Sequence, residues 1–168
     1  MGKRIVAVGV LVIMSLGIFY GCSSGIKFNI GYDKMGAFGS KAVDGGTTYY
    51  TLAKVSSVQE FQTLCAEFEN PAFQEGSEYY SSELSQKIRS YNETFFEEKV
   101  LIIYSFERGH DKETRIDSIS ASDTKLIVNA SYKTKKGIFT SEAFNWLMLI
   151  EVSKSEALGT QSVEVKHK

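Results

Sequence analysis

Few residues of this chain have both the type and the spacing to do chemistry. The sequence holds two cysteines and two histidines in 168 residues. Cys65 with His110 would make a thiolate–imidazolium couple, since a cysteine nucleophile needs a base within hydrogen-bond reach to lower its pKa. Cys65, however, falls in the stripe Val58, Phe61, Cys65 and Phe68, at steps of three and four, where a free cysteine is expected to act as a small buried hydrophobe. His110 stands in a turn and His167 one residue from the C-terminus. Neither has the spacing of a zinc site, which needs three or four converging ligands; no metal and no cofactor are expected. Glu97-Glu98, and Asp111 with Glu113, come nearest to a hydrolytic couple, which requires two carboxylates with separated pKa values across a cleft. Neighbours in a turn rarely span one, and solvated charges guarding strand edges are the simpler expectation.

Binding signals are equally sparse. Lys133, Lys135 and Lys136 flank a turn, where lysines ordinarily keep a hairpin soluble. The glycines between residues 25 and 46 follow neither the phosphate-loop nor the dinucleotide spacing. Asn92-Glu93-Thr94 and Asn129-Ala130-Ser131 match the glycosylation triplet, and both are expected to be chance matches. Tyr49-Tyr50 and Tyr79-Tyr80 are paired rings that would stack on a sugar or peptide if exposed, although such pairs in a sheet more often pack across strands. A net charge of -1 and a sequence pI near 6.2 show no basic excess, which argues against nucleic acid as a partner.

The strongest signal is an address. Lys3 and Arg4 precede an uncharged run from Ile5 to Tyr20, followed by small residues at Gly21, Cys22, Ser23 and Ser24. This is the order of a secretory signal: a positive start, an apolar middle and a cleavage site. The run is shorter than the roughly 20 apolar residues a spanning helix needs. Phe19-Tyr20-Gly21-Cys22 resembles the lipobox of bacterial lipoproteins, which implies removal of residues 1–21 and lipid on Cys22. Acyl chains contribute about 0.8 kcal/mol per buried methylene and hold a protein at the membrane without a spanning segment. With Cys22 so used, Cys65 has no thiol partner and stability must come from a core.

The elements expected to position these residues begin with a tether and irregular segment over 22–46, within which Ile26 to Tyr32 alternates weakly, as the beginning of a first strand would. The remainder, 47–168, is long enough for one domain with its own core. Thr47 to Val55 reads as a strand after the Gly45-Gly46 turn. Ser57 and Glu60 have capping-box spacing and open a helix that should end near Asn70, before Pro71. A second helix is predicted over Ser82 to Tyr91, with Leu84, Ile88 and Tyr91 facing inward. Beyond Asn92 the pattern becomes alternating, with strands over Lys99–Glu107, Thr114–Ser120, Lys125–Lys133, Trp146–Ser153 and Ser162–Lys166. Val100–Phe106 and Trp146–Val152 are apolar on both parities and therefore central. The expected fold is α+β: two N-terminal helices packed on an antiparallel sheet or sandwich.

The segment Tyr91-Asn92-Glu93-Thr94-Phe95-Phe96-Glu97-Glu98-Lys99-Val100-Leu101, together with Trp146-Leu147-Met148-Leu149-Ile150-Glu151-Val152, resembles a family of Clostridia-type surface lipoproteins with a β-rich domain. More distantly, the chain is similar to the C-terminal domain of protease-stabilising PrcB-type proteins. In the fold, Phe95 and Phe96 are expected to plug the gap between helices and sheet, with Trp146 beside them. The first resemblance implies a β-rich surface domain and carries no assigned activity. The expected function is a non-enzymatic, lipid-anchored envelope protein binding a partner protein or ligand. The alternatives are a regulator or inhibitor of an envelope protease, and a glycan or peptide hydrolase using His110, Asp111 and Glu113.

Overall fold

The computed structural model describes residues 25–137 and 142–168. The signal segment 1–21 and Cys22 lie outside the described residues. Among the described residues, nine strands and three short α-helices make an α+β fold, mostly strands. The strands are β1 (Phe28–Met35), β2 (Lys41–Val43), β3 (Gly46–Thr48), β4 (Leu52–Val55), β5 (Lys99–Gly109), β6 (Lys112–Ser122), β7 (Lys125–Thr134), β8 (Ala143–Ser153) and β9 (Ser162–His167). The helices are α1 (Val58–Glu67), α2 (Glu83–Ser90) and α3 (Glu93–Glu98), with a 3-10 turn over Pro71–Phe73.

Three layers result. A four-stranded antiparallel sheet in the order β1-β8-β5-β4 is the middle layer, and a three-stranded sheet β6-β7-β9 covers one face of it. On the other face Leu101, Ile103, Leu147 and Leu149 pack with Phe61, Cys65, Ile88, Tyr91 and Phe96 of the helical layer. Toward the second sheet Val100, Ile102, Tyr104, Met148, Ile150 and Val152 meet Ile119, Leu126 and Val128. Successive side chains of a strand point to opposite faces, so a strand buried on both faces must be apolar on both parities. That is why β5 and β8 carry unbroken apolar runs.

Several expectations need correction. The helices lie mid-chain rather than N-terminally, because β1 to β4 precede them. The first strand expected from Ile26 to Tyr32 is present as Phe28–Met35, but the stretch around it is not merely a tether: β1 pairs along its length with β8, from Phe28 against Val152 to Met35 against Trp146. Thr47–Val55 is divided into β3 and β4 around Tyr49–Thr51. Asp44-Gly45 closes the β2–β3 hairpin, with Gly45 at φ 85°, a turn that favours glycine. β9 runs parallel to β7, because the chain leaving β8 crosses to the far sheet and re-enters at its start, where Gln161 N–H donates to the Thr124 carbonyl. Trp146 packs on the second-sheet side, opposite to Phe95 and Phe96.

Local rules explain the helices. Ser57 Oγ accepts from Glu60 N–H at 3.1 Å, while the Glu60 carboxylate reaches back one residue further than the standard box, to Ser56 N–H at 2.7 Å. Ser82 caps α2. Asn92 caps α3, accepting from Phe95 N–H, so this glycosylation triplet serves as a helix start. Phe61 is fully buried and its ring meets Phe38, Phe73, Tyr91 and Phe96 at centroid distances of 6.0–6.4 Å.

Candidate functional site

Strand register gives the sheets two distinct ends. One end holds the start of β1, the start of β5 (Lys99 opposite Ser153) and the close of β8; Ile26 lies there too, bridged to Ile119 of β6. The other end holds Met35, the β5–β6 turn and the start of β8, where Gly109 faces Ala143. Each end carries a cluster of polar and aromatic side chains.

At the Met35 end, β5 places Arg108 inward between the sheets, 6% exposed. Its guanidinium lies 3.7 Å from the Trp146 ring centroid and donates to Thr114 Oγ1 at 3.3 Å. Arg108 Nε and Trp146 Nε1 are both buried without a hydrogen-bond partner among the described residues. Burial lowers the Arg108 guanidinium from its usual value, and the charges of Asp33 and Glu113 oppose that. His110 packs on Phe144 at 4.3 Å and edge-on to Trp146 at 6.1 Å. Met35 and Tyr132 are exposed beside them. A stacked arginine held by rings is rigid, and cation–π attraction grows when both partners are desolvated. The result is a firm patch in which exposed Met35 and Tyr132 and the half-buried Trp146 ring lie over a buried, stacked Arg108.

At the Ile26 end, Glu151 of β8 points into the helical layer and is 8% exposed. It accepts from Lys99 Nζ at 3.0 Å, Lys87 Nζ at 3.2 Å, Asn29 Nδ2 at 3.3 Å and Tyr91 Oη at 3.4 Å. Burial alone would raise its carboxyl; the bonds from Lys99, Asn29 and Lys87 outweigh this and hold it below its usual value. Burial and the facing Glu151 push the Tyr91 phenol well up, so it stays a donor. The network requires glycine at position 31, where a Cβ would overlap Glu151 Oε1 and Tyr91 Oη.

The residues singled out from sequence are scattered. Cys65 is 2% exposed in the helical core, and burial pushes its thiol up to about 12. It belongs to the core cluster opposite that of the Trp146 ring on which His110 packs. His167 bonds Tyr104 Oη at 2.9 Å and stacks on Tyr132 at 4.9 Å, tying β9 to β5 and β7. Asp111 sits in the β5–β6 turn with its carboxylate against Gly109. The described grooves are lined by residues other than His110, Asp111 and Glu113. Glu97 and Glu98 line a groove at the Ile26 end. Lys133, Lys135 and Lys136 are exposed. Tyr50 donates to Glu107, Tyr80 stacks under Arg89 at 3.8 Å, and Tyr79 lines a recess of about 490 Å³ with buried Asn70 and Ser85. Asn129 donates to Ser118 Oγ across β6 and β7. Among the described residues, no group of three or more His, Cys, Asp or Glu converges as a metal site, and no helix is long and apolar enough to cross a membrane. Compared with protein-family models, curated proteins and solved structures, the chain matches none.

Sequence reasoning passed over Arg108 and Glu151. Arg108 borders a glycine and reads as a turn residue, which hid its burial. Glu151 did carry a signal: a lone carboxylate inside the apolar run Trp146–Val152, on the parity of Leu147 and Leu149.

Proposed function

We propose that this chain is a non-enzymatic, extracytoplasmic protein, held at the membrane by lipid on Cys22, that binds a partner protein at the cell envelope through the Met35 end of its sheets. The observation supporting this is positional. Ile26 is already bridged to β6, four Cα steps after Cys22, a contour of at most about 14 Å. The patch around Trp146 lies at the far end of β1, a strand of eight residues or about 25 Å. An anchor at Cys22 thus keeps the Ile26 end near the bilayer and presents the other end outward. Tryptophan, tyrosine and arginine dominate binding hot spots, and methionine is enriched at interfaces.

The test is a charge placed on the patch where folding does not depend on it. Met35 is 53% exposed, so Met35→Asp should fold normally and lose the partner in co-purification from cross-linked cells. Retention of the same partner at undiminished yield would contradict the assignment of this surface.

A further inference from the structure

A groove of about 980 Å³ opens at the Ile26 end, between the start of β1, α3 and the turn after β8. Its walls are of mixed sign: Lys27, Lys99 and Lys154 against Glu97, Glu98, Glu151 and Glu156, the last accepting from the Lys27 backbone N–H at 3.4 Å. Not all of these charges are free to act outward. Lys99 is committed to Glu151 and Lys154 donates to the Phe96 carbonyl at 2.8 Å. Among the described residues, the Lys27 ammonium and the Glu97 and Glu98 carboxylates make no ion pair. Leu158, 83% exposed, stands on the rim.

We infer that this groove faces the bilayer and seats the headgroup of a zwitterionic phospholipid, with Leu158 set into the interfacial layer. The inference rests on the lipid anchor proposed for Cys22 and says how the anchored domain sits. Its first support is chain length: Lys27 follows Cys22 by five residues, so the groove cannot lie farther from the lipidated residue than about 18 Å of extended chain. Its second is charge. A headgroup carrying phosphate and ammonium groups needs a cation and an anion within one site, and Lys27 and the Glu97-Glu98 pair line the same groove. A polybasic surface, the signature of anionic-lipid attraction, is absent from the lining. Its third is Leu158, whose exposed apolar side chain on the groove rim gains by leaving water for the interfacial layer.

The experiment uses the full acylated chain reconstituted in phosphatidylethanolamine vesicles, with a fluorophore on Leu158→Cys or, separately, on Lys133→Cys at the opposite end. Cys65 is buried and leaves the label unambiguous. With spin-labelled lipid as quencher, position 158 should be quenched several-fold more than position 133. Lys27→Glu should reduce that quenching, and adding anionic lipid or salt should not increase it. Equal quenching at the two positions, with acyl chains found on Cys22 by mass spectrometry, overturns the inference alone. Absence of acyl chains overturns the anchor and the inference together.

Discussion

Replacing Glu151 by glutamine removes one charge without changing side-chain volume, and it should unfasten the junction of β8, β1 and the helical layer. The carboxylate accepts from Asn29, Lys87, Lys99 and Tyr91. An amide offers one acceptor in place of two and turns an N–H₂ group toward at least one ammonium. Hydrogen bonds to a charged group contribute about 1.5–3 kcal/mol, and breaking a fully buried ion pair costs about 3–5 kcal/mol. Lys87 and Lys99 are 29% and 42% exposed, so water receives part of what they lose. The expected cost is near the lower bound, about 2–3 kcal/mol, or a Tm fall of about 4–12 °C for a chain of this size. The pH dependence identifies the cause. The folded-state pKa of Glu151 is held below its ordinary 4.5, so its contribution is fully present above that value and is lost as pH falls through the folded pKa. Thermal melts at pH 7 and at an acid pH below 4.5 should therefore show a larger difference between wild type and Glu151→Gln at neutrality than in acid. An equal difference at both pH values would refute the electrostatic account and leave only packing.

Other outcomes follow from the same geometry. Gly31→Ala should destabilise by about 1–3 kcal/mol through overpacking, and Tyr91→Phe in the same chain should recover part of it by removing one of the two obstructing oxygens, as urea titration would show. Phe61→Ala should cost about 3–5 kcal/mol, because the ring at the centre of four aromatic neighbours leaves a cavity; a loss below about 1 kcal/mol would mean the helical layer repacks freely. The native protein should leave Cys65 unmodified by a thiol reagent at pH 8 and react stoichiometrically in denaturant, since burial holds the thiol near 12.

Residues with a repeating neighbour were legible and solitary ones were not. β5 and β8 could be read as central strands because burial on both faces leaves an uninterrupted apolar run. α1 and α2 were marked by caps at Ser57 and Ser82 and by periodic apolar positions. α3 spans six residues, under two turns, too short for periodicity to accumulate; its cap at Asn92 was the available clue. β1 was legible as the weak alternation from Ile26 to Tyr32, short of its end at Met35; Gly31 within it is required by close approach of Glu151 and Tyr91, a tertiary reason no local rule contains. The parallel pairing of β9 is set by where the turn after β8 deposits the chain, which lies beyond strand patterning. The patch at the Met35 end draws on β1, β5, β7 and β8, and register alone brings Met35 beside Trp146.

Photo-cross-linking from Phe144 in living cells, with mass spectrometry of the Cys22 peptide from the same sample, tests the proposed anchored binder most directly. The account predicts acyl chains on Cys22 and one reproducible protein cross-linked at Phe144, with lipid rather than that protein captured from Leu158. An uncleaved N-terminus without acyl chains, or the same protein captured equally from both positions, would contradict it.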